Sequence, residues 1–423
     1  MDTNNKLRVQ IEDATEIDAI GDMWQRLEPD CERSFFQSWG WIGTWLKSLP
    51  AGMHPRLISA RAADKIVGLA VLIPQRVQRH RVFFSDALFL NETGVAKYNF
   101  VVEHNGFLLK SGDEAEILTQ CLRALVAAPR RWDELFISAI RTDNPLFRTP
   151  ILEELGLRLQ TLKTSTSRYV DLAELRLNNQ DYLATLSSNT RYQIRRALRK
   201  YTEIGPVELH VATTLEQAQH YFDNLKELHQ AYWVGKGRPG SFANPVWEQF
   251  HRHLIDTRYA HAEIQMIRLS AGETDIGYLY NFVKNGWVYA LQSGFRYDTP
   301  PATARDGGST GNAGAISSAT AKDGGSTGGK PLEANAGAIS SALHPGYVSH
   351  YLAIEYNIKH GTGVYDFLAG DAQYKSSLSH KDHTLAWVVV QRKRWKFMLE
   401  DALRSLVYAI RERTSARLPA TKK

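Results

Sequence analysis

Asp366, Asp371, Tyr374 and Lys375 bring two carboxylates, a phenol and an amine close together near the end of the chain. Such a set can take a proton from a nucleophile, return one to a leaving group and hold an anion. These residues close a segment, His344 to Lys375, that reads HPGYVSHYLAIEYNIKHGTGVYDFLAGDAQYK. The pattern predicts a Pro-Gly turn, an amphipathic helix through Tyr351, Leu352, Ile354, Ile358 and Lys359, a Gly361/Gly363 stop, and a strand from Val364 to Leu368 carrying Asp366. A helix that opens on a glycine turn offers free N–H groups at the positive end of its dipole, which suits a pyrophosphate held at Pro345, Gly346 and Tyr347. An ordinary αβ unit with capping and surface polar groups has the same spacing, and both readings stand.

A second anion site is suggested by SNTRYQIRRALRK, where Arg191, Arg195 and Arg199 recur at i, i+4 and i+8 on one helical face, with Arg196 and Lys200 beside them. A solvated basic face would look the same. No Walker loop, GxSxG elbow, GxGxxG fingerprint or HExxH pair occurs. The fourteen histidines are scattered, and the HRH at 251 to 253 is wrongly spaced for two ligands on one helix face, so no metal is expected. Cys31 and Cys121 lie far apart without His or Cys neighbours at ligand spacing, which argues against both a disulfide framework and structural zinc.

The net charge of +6 admits anionic partners such as nucleotides, CoA, RNA or lipid head groups, without requiring nucleic acid. A hydrophobic fraction of 43% and a charged fraction of 23% fit a soluble globular chain. No run approaches the roughly 18 apolar residues of a membrane span. The first residues lack the continuous apolar core of a secretory signal, so a cytoplasmic location is expected.

The elements that must position these groups can be read in order. A helix at 16–28 precedes SFFQSWGWIGTWLKSLP, whose aromatics at helical spacing predict a helix wedged into the core rather than a base-stacking platform. Alternation at 56–62 and 66–73 around Ala63-Asp64-Lys65 predicts a hairpin. Strands follow at 82–90 and 98–102, a helix at 113–127, a strand at 134–140, a helix at 145–155 and a strand at 157–170. The second half repeats the plan, with a helix at 180–200, a strand at 207–212, short helices at 215–233 and 245–256, and a meander at 262–269, 276–283 and 287–295 turning at Asn285-Gly286. A final strand is expected at 384–390, then a basic amphipathic helix from Trp395 to Arg413 that docks on the body. Residues 300–343 stand apart, because DGGSTG and NAGAISSA each occur twice in a Gly/Ser/Ala-rich stretch that lacks the apolar surface to fold. The expected division is therefore 1–175, then 176–299 with 344–395, the 300–343 insert, and a 396–423 tail.

FFQSWGW, SSNTRYQIRRALRK, ELHQAYWVGKGRPGSF, YNFVKNGWVYALQSGFRYD and PGYVSHYLAIEYNIKHGTGVYDFLAGDAQYKSSLS together resemble the GNAT-like acyltransferases of the CelD type. These carry a BioF2-like domain, are found beside cellulose and exopolysaccharide biosynthesis genes, and are related to the FemABX aminoacyl transferases. The resemblance implies an α/β (α+β) fold of two tandem GNAT-like domains, mixed sheets flanked by helices. It implies acyl transfer from acyl-CoA, without a metal, to an amine or hydroxyl of a sugar-nucleotide or glycan precursor. The family's Pro-Gly turn falls on Pro345-Gly346, and its DF…GD…YK pattern on Asp366-Phe367, Gly370-Asp371 and Tyr374-Lys375. On that basis, Asn281 or Gln292 to Ser293 would lie at the strand edge that binds the thioester carbonyl, Asp366 or Asp371 would be the base, Tyr374 the proton donor, and Lys375 a partner for phosphate or carboxylate. The intact GNAT pyrophosphate loop, R/Q-x-x-G-x-G/A, is missing, and the insert immediately precedes its equivalent. An aminoacyl-tRNA donor and a non-catalytic scaffold in a polysaccharide-synthesis complex remain alternatives. Association with a membrane surface or a polysaccharide synthase is a further expectation; DNA is not an expected partner.

Overall fold

The computed structural model describes residues 7–79, 83–129, 131–297 and 343–400. Its strands are β1 (Leu7–Asp13), β2 (Arg56–Ala62), β3 (Lys65–Arg79), β4 (Phe83–Leu90), β5 (Leu108–Leu109), β6 (Glu134–Arg141), β7 (Leu157–Asp171), β8 (Val207–Val211), β9 (Ile264–Ala271), β10 (Thr274–Lys284), β11 (Trp287–Phe295), β12 (Val364–Ala369) and β13 (Lys381–Arg392). The helices are α1 (Ile17–Leu27), α2 (Trp39–Lys47), α3 (Glu114–Ala127), α4 (Ile151–Glu154), α5 (Leu172–Leu177), α6 (Tyr182–Thr185), α7 (Ser188–Thr202), α8 (Leu215–Gly235), α9 (Pro245–Arg258), α10 (Pro345–Lys359) and α11 (Gln373–Leu378).

One mixed sheet runs β1-β2-β3-β4-β6-β13-β7-β12-β11-β10-β9-β8, with β5 added to β3. The strand directions read the same from either end. Three antiparallel joints lead inward to a parallel one, β4 with β6 on one side and β11 with β12 on the other, and antiparallel pairs meet at the centre. Each half lends its last strand to the other: β13 lies against β6, and β7 lies against β12. Chain alternation sends successive residues to opposite faces. On β3, Leu69, Val71 and Ile73 enter one core while Ala70 and Leu72 enter another. The first core is shared by both halves and is filled by α1, α2, α8 and α9. The opposite face is covered by α3 and α4 in one half and by α5, α7 and α10 in the other.

The N-terminal aromatic run forms a 3-10 turn and α2, and it joins the halves. Phe35 stacks on Phe282 of β10 at 4.2 Å, Phe36 meets Phe282 and Tyr289 edge-on, and Trp41 meets Phe250 of α9 at 5.0 Å. All three side chains are fully buried, as a core helix requires and a stacking platform does not. Beneath them Lys284, at the hairpin end of β10, makes ion pairs with Glu28 and Glu263.

Several elements differ from expectation. Residues 98–102 are not a strand, because Val101 has φ of 58° and the chain is turned by local side-chain bonds. The 145–155 helix is broken at Pro150 into a 3-10 turn and α4, and the 180–200 helix is interrupted before α7, whose cap is Ser187. Helix α8 has 21 residues rather than being short, and it lies along β9, β10 and β11. The 300–343 insert lies outside the described residues except for Leu343, and of the C-terminal helix only 395–400 is described. There Phe397 is buried against Phe83, and Glu400 receives hydrogen bonds from Arg79. Among the described residues no helix is long and apolar enough to cross a membrane.

Phe36→Ala is expected to lower stability by about 3–5 kcal/mol, because it empties a site lined by both halves. Chemical denaturation checks this, and a loss below about 1 kcal/mol would show that the halves do not depend on this contact.

Candidate active site

Strands β11 and β12 run side by side only through Trp287 with Val364, Val288 with Tyr365 and Tyr289 with Asp366, and then part. Asp366 therefore stands where the sheet branches. On the β11 side, Gln292 pairs with Tyr280 and Ala290 with Asn281, which leaves Leu291 as a bulge. Helix α8 closes tightly on the same stretch: a Cβ on Gly294 would lie 2.3 Å from the Leu225 carbonyl oxygen, so only glycine lets the two backbones approach.

The β12 side is bent by buried polar groups. Asp366 Oδ1 accepts hydrogen bonds from Ser167 Oγ at 2.8 Å and from the Leu368 N–H at 2.7 Å. Leu368 is thereby held at φ of 61°, and two residues of β12 oppose one of β7. The Ala369 N–H donates to Glu103 Oε2, and Lys375 Nζ donates to the Leu368 and Ala369 carbonyls. Burial pushes the Glu103 carboxyl up, against the Ala369 N–H and the Lys375 and His104 charges. It pushes the Lys375 amine down to about 8, against the charges of Glu103, Asp366 and Asp371.

Glu103 and His104 arrive on the irregular segment after β4. Asn91 fixes it by donating to Asn105 Oδ1 and the Gly106 carbonyl, and Asn105 donates back to the Leu90 carbonyl. With φ of 48° at His104, the imidazole reaches across the junction. His104 Nε2 lies 3.3 Å from Asp366 Oδ2, and His383 Nε2 of β13 lies 3.5 Å from the same oxygen. These close approaches have charge-pair distances but not hydrogen-bond alignment, and all three atoms are buried without another hydrogen-bond partner. Burial alone would raise the Asp366 carboxyl, but His104, then the His383 charge and the Leu368 N–H, hold it below the usual range. Burial lowers His383 to about 4, outweighing the Asp366 carboxylate, so its imidazole is neutral near pH 7. Tyr169 and Trp287 flank the His383 ring, and Tyr289 meets that of His104.

The start of α10 faces the parted end of β11. A Cβ on Gly346 would come 3.2 Å from the Phe295 ring. His344, in a left-handed conformation, gives no side-chain cap to the first N–H groups, and Tyr347 donates to Ser377 Oγ. Burial and then the Arg196 charge lower the His344 imidazole, which places Arg196 near this helix start. On α7, Arg191 donates to the Ala184 and Leu186 carbonyls, while Arg195 and Arg199 are exposed. Asn281 sits inside the sheet between β9 and β11 and donates to Gln265. Gln292 donates to Ser241 Oγ, and the Ser293 carbonyl accepts from His229 Nδ1 at 3.1 Å. Asp371 is exposed, and Tyr374 stacks on His350 on the α10 face of the sheet. Lys375 is turned inward onto β12 carbonyls, away from any phosphate at the surface.

Residues 188–305 match the acetyltransferase (GNAT) domain model. The GNAT match begins at α7 and spans the meander through β11; Asp366, His104 and His383 lie outside it. In fold the chain is similar to FemX, at 9% identity and a TM-score of 0.53, over 90% of this chain and 96% of that one. It also overlays a tandem GNAT protein from the clavulanic acid biosynthesis pathway, at 11% identity and a TM-score of 0.38, over 90% of this chain and 98% of that one. No curated protein matches in sequence. At such identities the likeness to solved structures is one of fold: a large mixed α/β sheet flanked by helices.

His104, Glu103, His383 and Ser167 are site residues that the sequence patterns did not single out. Their one local signal is Glu103-His104-Asn105-Gly106, a polar run inside the otherwise apolar FVVEHNGFLL.

Glu92, beside this loop, is buried with both carboxylate oxygens on Ser138 Oγ, and burial raises it to about 7 against those bonds. The folded chain thus keeps a proton that the unfolded chain loses near pH 4.5. Stability should fall by about 3 kcal/mol as pH rises from 4.5 to 7 and then level off. Glu92→Gln should remove that slope in denaturation curves taken across this range; equal slopes in both proteins would refute the assignment.

Proposed function

We propose that this chain transfers an acyl group from acyl-CoA to an amine or hydroxyl, the acceptor being a sugar-nucleotide or polysaccharide precursor. The observation that carries this reading is the branch itself: β11 and β12 part beside Asp366, and the uncapped start of α10 lies at the parted end. The pyrophosphate would bind at the Gly346 N–H, the Tyr347 and Val348 N–H groups being bonded to the His344 carbonyl, where helix dipole and the Arg196 charge felt at His344 act together. The pantetheine arm would lie between the strands and bring the thioester to the bulge at Leu291, whose neighbouring backbone N–H groups polarise the carbonyl. The acceptor attacks that carbon from the Asp366 face, the C–N or C–O bond forms, the C–S bond breaks, and CoA leaves as a thiolate.

The acceptor's proton passes to the polar group at the branch, where the neutral imidazole of His383 is the member nearest solvent. Tyr374, on the α10 face and kept protonated by burial, would be the group that returns a proton to the thiolate. Glu103 and Lys375 act by fixing the bend of β12 rather than by touching substrate. The polysaccharide-precursor acceptor is drawn from the CelD-type motifs of the second half, and the acyl donor from the branch geometry together with the GNAT match over 188–305.

Acetyl-CoA or a longer acyl-CoA should raise the thermal midpoint of the full chain, by the equivalent of about 2.7 kcal/mol at one hundred times the dissociation constant. Gly346→Trp should abolish the shift, because the new ring occupies the helix start beside Phe295, and circular dichroism establishes that the variant is folded even where that tight contact lowers its unliganded midpoint. If no acyl-CoA shifts the parent protein, the donor assignment fails and an aminoacyl-tRNA donor or a non-catalytic role takes its place.

A further inference from the structure

Three unpartnered buried atoms converge on one point: His104 Nε2, His383 Nε2 and Asp366 Oδ2, all within 4.8 Å of one another. Two imidazole nitrogens facing a carboxylate oxygen at 3.3 and 3.5 Å have the separation of neighbouring ligands around a tetrahedral ion, about 3.3–3.4 Å for bonds of about 2.0–2.1 Å. The ligands are also held from behind. Asp366 uses its other oxygen to accept from Ser167 and Leu368, so Oδ2 alone is left to bind, and Asn91 and Asn105 fix the loop that carries His104. Leaving three such atoms buried with only misaligned contacts to one another is costly, and an ion satisfies all of them at once.

We propose that His104, His383 and Asp366 bind one divalent transition ion of the zinc class through two nitrogens and one oxygen. The nitrogen donors select against Mg²⁺ and Ca²⁺, which prefer oxygen cages. With three protein ligands, the site keeps at least one position open, and the His383 side, 12% exposed, is where it meets solvent. That position adjoins the branch at Asp366, so an acceptor hydroxyl or amine bound there would be acidified by the ion and lose its proton to solvent on the open His383 side, and His383, as a ligand, would no longer take it. The proposal does not depend on the identity of the acyl donor.

The test uses the full chain, treated with a chelator and titrated with Co²⁺ and Zn²⁺. One equivalent of Co²⁺ should give the visible absorption of a four- or five-coordinate nitrogen and oxygen site, Zn²⁺ should displace it, and Mg²⁺ or Ca²⁺ in excess should not. His383→Gln and His104→Asn should each weaken binding at least tenfold, and Asn is chosen because it tolerates the left-handed backbone at 104. Circular dichroism establishes that each variant is folded. A parent protein that retains no ion after dialysis overturns the proposal, as does stoichiometric binding that both folded variants keep undiminished. Because the readouts are metal content and absorption, binding without any response to acyl-CoA would sustain the metal site and refute only the donor.

Discussion

The pairing of β13 with β7 at the middle of the sheet is the constraint from which the site follows. Twelve residues of β13, Lys381 to Arg392, lie antiparallel to Leu157 to Tyr169, with one bulge near Trp387. The two strands come from different halves, and each also completes the other half's sheet. Such an exchange couples the halves through backbone hydrogen bonds, which a shift of register would break all along the ladder. It also puts Ser167, Asp366 and His383 on three neighbouring strands although they are far apart in the chain. The aromatic plug of Phe35, Phe36 and Trp41 buries the shared face above this junction, so the two halves are joined by packing as well as by pairing.

The junction concentrates charge where solvent is scarce. Glu103, Asp366 and Lys375 are all nearly inaccessible, and among the described residues no ion pair joins any two of them. Each instead bonds the backbone of the bend in β12: Asp366 to the N–H of Leu368, Glu103 to that of Ala369, and Lys375 to two carbonyls. Removing one of them would leave the others uncompensated in a medium of low polarity, the costly case for buried charge. The same bonds part β12 from β11, so the polar groups and the opening in the sheet are one feature.

Much of the fold was legible because it rests on local chemistry. The Asn285-Gly286 turn takes the positive φ that its residue types favour, and the helix beginning at Pro345, the strand with Asp366 and the α3 helix appear within a residue or two of their predicted ends. Asp366 and Pro345-Gly346 could be singled out because turn, helix and strand signals surround them. His104 and His383 could not, since their meaning arises only from a strand exchange between distant segments. Residues 98–102 read as a strand from their apolar side chains, but the local bond from the Val101 N–H to Asn99 Oδ1, in a loop that Asn91 pins at Gly106, overrides that preference. Lys375 looked like a surface partner for an anion; the deep bend of β12, invisible in its sequence, draws it inside.

Backbone strain points to the same place as the charges. Val101, His104, Ala139 and Leu368 are non-glycine residues with φ between 46° and 61°, and Ala139 and Leu368 flank the segment that carries Glu103 and His104 through the Ala139 carbonyl bond to Asn105 and the Ala369 bond to Glu103. A branched residue such as Val101 in this region is especially unfavourable, and each such residue costs about 1–3 kcal/mol. Sequence choice does nothing to relieve it, since glycine stands at none of these four positions. The strain persists because buried hydrogen bonds on both sides over-determine the backbone. Its effect is to aim one imidazole from the first half at a carboxylate of the second. The same buried hydrogen bonds that bend β12 thus hold these strained residues in place, and strain and bend are two results of one set of contacts.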